Sequence, residues 1–154
     1  MTKFWIATVA GAMLAAPAFA QDGDAAAGED AFRQCATCHA IVDADGTAIA
    51  GRANMRTGPN LYGIVGRPAG SVEGFRYRPD IVRAGEEGLV WDEESLTAYL
   101  QDPGGFLSET LGTRARSGMS YQVRSADEAA NLAAFLALHG AIEAEEDEEE
   151  AADS

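Results

Sequence analysis

Cys35-Ala36-Thr37-Cys38-His39 brings two thiols and an imidazole together on about one turn of backbone, and the chain has no other cysteine. Thiols at this spacing reach the two vinyl groups of one porphyrin as thioethers, and the adjacent imidazole then lies under the iron as an axial ligand. A Cys-x-x-Cys pair also serves as a redox disulfide or as half of a zinc site. Zinc would need two further ligands, yet the only other histidine is the distant His139. A thioredoxin-like disulfide asks for alternating strands and helices around the motif, and no strong strand pattern is present. The expected cofactor is one haem c, covalent through Cys35 and Cys38.

Before the motif the chain opens Met1-Thr2-Lys3, runs apolar through 4–16 and reaches Pro17-Ala18-Phe19-Ala20 ahead of the polar Gln21. A basic start, an apolar run short for a bilayer and a small-x-small end predict a secretory signal over 1–20, cleaved after Ala20. The alternative is a retained membrane anchor. Export places the protein where disulfides could form, but both thiols are committed to haem. Beyond this leader the composition predicts one small domain over 21–142 and an acidic, disordered tail over 143–154. The formal charge is −14, and eight of the 25 acids lie in 143–153. The domain ahead of the tail still carries 17 acids against 10 arginines, which argues against nucleic acid as a partner. So short a chain buries a modest core, and an apolar macrocycle supplies much of the missing interior.

Taken in order, residues 23–38 read as a helix capped by Asp22 or Asp24, with Gly28, Phe32 and Cys35 on one face. Gly28 costs helix propensity, so its expected use is close approach of another helix. Residues 40–72 read as loop, with a turn at Asp45-Gly46 and a stiff segment Thr57-Gly58-Pro59-Asn60-Leu61-Tyr62-Gly63. An iron-ligating imidazole usually donates its second ring proton to a fixed carbonyl, and Pro59 is the candidate. Residues 71–90 read as irregular chain anchored by Phe75 and Tyr77. Asp92 caps the next helix, whose buried stripe is Leu96, Tyr99 and Leu100 and whose stop is Pro103-Gly104. Residues 105–123 read as loop again. Beyond the leader the methionines are Met55 and Met119; Met55 lies just before the His39-side segment, so Met119 is the favoured sixth ligand, with His139 a remote candidate. Ser125-Ala126-Asp127-Glu128 reads as a capping box opening a helix with Leu132, Phe135 and Leu136, which stops at Gly140 and packs on the first.

These pieces together resemble the class I c-type cytochromes, especially the soluble bacterial group closest to mitochondrial cytochrome c. The match covers 23–140 and includes Ala27-Gly28-Glu29-Asp30-Ala31-Phe32, the segment at 57–63, Gly66-Arg67, Phe75-Arg76-Tyr77, Trp91, Tyr99, Met119, and Leu132 with Phe135. The resemblance implies an all-α fold in which the first and last helices cross around one covalent haem. It implies His39 and Met119 as axial ligands, with the Pro59 carbonyl orienting His39. Tyr77 and Trp91 match residues that hydrogen-bond a haem propionate, and Arg67 a cation beside it. Tyr99 and Ser117 match residues bonding around the methionine, and Tyr121 an aromatic at the exposed haem edge. Two departures stand out: the loop at 40–56 is long, and no lysine follows Lys3.

The implied role is a periplasmic electron carrier, not an enzyme. As a monomer it would pass single electrons from a quinol-cytochrome c reductase in the membrane to an oxidase, a reductase or a photosynthetic reaction centre. Residues 110–126 hold Arg114, Arg116 and Arg124 without an acid, and 46–72 hold Arg52, Arg56 and Arg67 without one. A basic haem-edge face on an acidic body is therefore expected, suited to acidic partner surfaces. The rival class is a five-coordinate haem enzyme or gas sensor, in which Met119 leaves the iron free.

Overall fold

The structure, a computed structural model, describes residues 23–140; the export signal expected over 1–20 and the tail expected over 143–154 lie outside the described residues. Asp24 starts the first helix, its carboxylate accepting from the amides of Ala26 at 2.9 Å and Ala27 at 3.2 Å. Helix α1 (Ala25–Cys35) is shorter at both ends than the spacing suggested. The helical turn nevertheless continues, because the amides of Cys38 and His39 both return to the Cys35 carbonyl, at 3.0 and 2.9 Å. Both thiols and the imidazole are thus delivered by one tightly wound end.

Helix α5 (Ala126–Ala137) crosses α1. At the crossing a Cβ on Gly28 would fall on the Asn131 carbonyl oxygen and lie 2.7 Å from Phe135 Cβ, so glycine is what permits the approach. Phe32 and Phe135 pack beside it with ring centroids 5.6 Å apart, and the Asn131 side chain accepts from the Asp24 amide at 2.7 Å. Phe32, Leu132 and Phe135 are each below 5% exposed, and burying such a side chain stabilises by about 2 kcal/mol. Ser125 caps α5 through the Glu128 amide at 3.3 Å.

Between these helices lie three more and one small sheet. Strands β1 (Ile41–Val42) and β2 (Ala48–Ala50) form an antiparallel hairpin turned at Gly46, whose φ is +83°. Helix α2 is Pro79–Glu86, α3 is Glu93–Gln101 and α4 is Pro103–Thr110. The hairpin and α2 correct the expectation of loop over 40–72 and irregular chain over 71–90. Helix α4 corrects the reading of 105–123 as loop throughout: Pro103 ends α3 but also opens α4, where Asp102 caps the Gly105 amide at 3.0 Å. Proline at a first helical position loses no needed donor. Among the described residues no helix is long and apolar enough to cross a membrane. The expected crossing of the first and last helices is observed, in a mostly helical fold of five helices among the described residues, with the small hairpin an addition to the all-α expectation.

Candidate haem site

The His39 ring is oriented from two directions. Its Nδ1 lies 2.9 Å from the Pro59 carbonyl oxygen; a carbonyl only accepts, so Nδ1 carries the proton and Nε2 keeps a free lone pair. Gly58 lies flat against the ring, since a Cβ there would sit 2.5 to 2.8 Å from Cε1, Nδ1 and Nε2. Backbone bonds fix that loop: the Gly58 amide donates to Cys38 at 2.7 Å and the Leu61 amide to Ala40 at 2.9 Å. Asn60 adds a clamp, its Oδ1 accepting from the Val42 amide at 2.9 Å and its Nδ2 donating to the Val42 carbonyl at 2.8 Å. Burial lowers the His39 pKa below its ordinary value, against the Pro59 hydrogen bond. The imidazole is thereby neutral near pH 7, as metal ligation requires.

Cys35 and Cys38 are not joined in a disulfide. Burial, helped by the Glu128 charge, pushes Cys35 up to about 11 from 9.0. Redox dithiols need a depressed pKa, so this environment disfavours the disulfide-exchange reading.

Met119 sits in the segment between α4 and α5, partly buried against the core. Ser117 organises it: Ser117 Oγ accepts from the Met119 amide at 3.0 Å and shares a 2.7 Å hydrogen bond with the Tyr99 hydroxyl. Tyr99 is buried in α3, and burial raises its phenol pKa while the Ser117 contact opposes the rise. Met55 lies elsewhere. It lines a cavity of about 590 Å³ with Thr57, Gly58, Pro59, Val72 and Phe75, on the loop that holds His39. His139 is also set apart: its ring edge meets Phe135 at 4.7 Å, in a groove it shares with Ala25 and Ala26. That is the first turn of α1, about 15 Å along the helix axis from Cys35.

A third group gathers where residues 66–69 pair with 89–91. The Trp91 amide donates to the Arg67 carbonyl at 3.0 Å and the Gly66 amide to Trp91 at 2.8 Å, making Arg67 and Trp91 neighbours. Trp91 is 3% exposed and packs on Tyr99 at 5.0 Å. The Arg67 guanidinium is half-buried and donates to the Tyr62 carbonyl at 3.3 Å. Burial raises the Tyr77 phenol above its usual pKa, opposed by the backbone at Val72 and by the Arg67 charge. An indole donor, a phenol and a half-buried cation with no carboxylate partner among the described residues fit the anionic edge of a porphyrin. Two thiols beside a neutral imidazole fit its covalent attachment.

Arg114, Arg116 and Arg124 are exposed around the Met119 segment, and Arg78 lies along Gly118, its Cγ and Cδ 3.7 Å from where a Cβ would be. None of the four has an ion-pair partner among the described residues. Folding does bring acids to this face: Asp80 accepts from the Arg116 amide at 2.8 Å and lies 3.6 Å from Arg83, and Asp102 accepts from Gln122 Nε2 at 3.3 Å. Sequence distance conceals them. Sequence reasoning likewise assigns no role to Asn60, Gly58 or Asn131; an asparagine within an apolar helix stripe is the one signal for Asn131.

No protein-family model matches the chain. Among characterised proteins it is 54% identical over 122 residues to cytochrome c2 of Rhodovulum adriaticum, covering 79% of this chain and 96% of that one. It is 49% identical over 132 residues to cytochrome c2 of Rhodobacter capsulatus, covering 85% and 92%. The crystal structure of cytochrome c2 from Rhodobacter sphaeroides superposes with a TM-score of 0.75 at 46% identity, covering 79% of this chain and 99% of that one. The chain belongs to the class I c-type cytochromes, electron carriers with a covalent haem c, which Cys35 and Cys38 hold here.

Proposed function

We propose that the protein is a soluble, monomeric periplasmic carrier, not an enzyme, in which His39 and Met119 would hold the haem iron. The observation that carries this reading is the pair of separately fixed loops: Pro59 aims the imidazole through Nδ1, and Ser117 with Tyr99 holds the methionine segment. Haem c supplies a one-electron couple, and a thioether ligand favours the reduced form. The polypeptide's work is positional. Gly58 and Pro59 keep His39 in one tautomer and one plane, so the ring needs no reorientation when charge at the centre changes. Trp91, Tyr77 and Arg67 offer two donors and a cation to the propionate edge. Tyr99 and Leu100 keep water from the interior on the α3 side.

Arginines 78, 114, 116 and 124 surround the Met119 segment and suit an acidic docking surface on the membrane donor and acceptor, a quinol-cytochrome c reductase and an oxidase or reaction centre. Association with either should weaken as salt rises; indifference to ionic strength overturns this part. Purified mature protein should begin at Gln21 and weigh one haem more than the polypeptide. In the oxidised protein an absorbance band near the red edge, from methionine sulfur to ferric iron, should be present and should vanish in Met119→Ala. A wild-type protein without that band, binding imidazole at once, would be a five-coordinate sensor or enzyme instead.

A further inference from the structure

Residues 111–124 have no helix or strand of their own, and most of their anchors lie on one side. Ala115 donates to Ser108 Oγ at 3.0 Å, Arg116 to Asp80 at 2.8 Å, Val123 to Leu100 at 2.8 Å and Gln122 Nε2 to Asp102 at 3.3 Å. With the Ser117 to Tyr99 bond, all of these belong to α2, α3, α4 or their caps. Toward α1, which bears Cys35, this segment makes one hydrogen bond among the described residues: the Tyr121 hydroxyl donates to Gln34 Oε1. The other end of that amide is also taken, because Gln34 Nε2 donates to Glu128 Oε1 at 3.2 Å in the first turn of α5.

We propose that Gln34 is a positioning residue that latches the methionine segment across to the haem-bearing helix. Its side chain carries both the donor and the acceptor that its two neighbours need. A carboxylate at 128 accepts and cannot donate, so the amide nitrogen must face it, which leaves Oε1 for the phenol and makes Tyr121 the donor. Gln34 lies one residue before Cys35 and Tyr121 two after Met119, so the contact spans the opening between thioether side and methionine side. The segment is hinged on α2–α4 and fastened at this point. Releasing it raises how often Met119 swings away without removing any candidate ligand.

The latch rests on Met119 ligation, and two readouts separate them. In oxidised holoprotein the rate at which imidazole displaces the sulfur should rise about fivefold in Tyr121→Phe, the loss of one ordinary hydrogen bond. It should rise further in Gln34→Glu, where two carboxylates face each other. The exchanged pair Gln34→Glu with Glu128→Gln restores a donor to each acceptor, and its rate should return close to wild type. A Gln34→Glu rate equal to wild type, or an exchanged pair as fast as the single variant, overturns the latch. Tryptic cleavage after Arg116 and Arg124 reads segment opening without reference to the iron. If the red-edge band is missing from wild type, the ligand assignment fails, while unequal cleavage across these variants still upholds the latch and equal cleavage rejects it.

Discussion

Residues 35–63, which present His39, are held chiefly by backbone, whereas residues 111–124, which present Met119, are held chiefly by side chains. On the histidine side, amide-to-carbonyl bonds run from Gly58 to Cys38, Leu61 to Ala40 and His39 to Cys35, and Pro59 contributes a carbonyl. On the methionine side, Ser108, Asp80, Asp102, Ser117 and Gln34 supply the acceptors, with one backbone bond from Val123 to Leu100. Backbone groups are present whatever the residue type, so the first wall tolerates substitution except where space is lacking. The second depends on five specific side chains, and it is the wall more easily loosened or retuned.

The crossing of α1 and α5 supports both walls, and disturbing it should have the largest effect. Gly28→Val places side-chain atoms on the Asn131 backbone, where nothing flexible can yield; about 3 kcal/mol of stability or more should be lost, read as a fall in denaturant midpoint together with faster imidazole entry. Gly58→Ala should act on the histidine wall alone. Its Cβ meets three ring atoms of His39, so we expect a loss of about 2 kcal/mol and a shifted visible spectrum, with tryptic cleavage after Arg116 unchanged. Ser117→Ala should act on the methionine wall alone, costing about 1 kcal/mol and weakening the red-edge band at unchanged His39 geometry by NMR. If Gly58→Ala opens the methionine segment as much as Ser117→Ala does, the walls are not independent and the contrast breaks.

An effect of similar small size lies outside both walls. Hydrogen bonds from the Ser95 side chain and amide lower the Asp92 pKa below 3.8. A depressed folded pKa contributes stability above the unfolded value, and that contribution is lost as pH falls from 3.8 through the folded pKa. Asp92→Ala should therefore cost about 1 kcal/mol near neutrality and progressively less below pH 3.8, as measured by thermal midpoint across that range.

Legibility in the sequence depends on how local each cause is. The haem motif, the Asp24 and Asp92 caps and the long apolar stripe of α5 are set by neighbours within one or two turns, and each is readable. Helix α2 buries only Ile81 and Ala84, too few for periodicity, and Gly85 inside it argues against a helix. That glycine is there because a Cβ would fall on the Ala69 carbonyl, a contact from another part of the chain. Helix α4 hides behind Pro103-Gly104-Gly105, where the same proline both closes one helix and opens the next. The strands of the hairpin are two and three residues long, below any pattern a window detects. The Gln34 contacts join residues 87 and 94 apart, and nothing around Gln34 announces them.

The last described turn carries a practical corollary. The His139 carbonyl receives the amide of buried Gly63 at 2.8 Å, and Gly140, with φ +70°, closes over the Tyr62 ring. Trimming the polypeptide at the visible end of α5, after Ala137, would strand that donor in the interior at a cost of about 1–3 kcal/mol. A minimal autonomous unit must therefore be cut beyond residue 140, and an affinity handle spliced closer in would be felt at the histidine loop rather than at the tip it was meant to decorate.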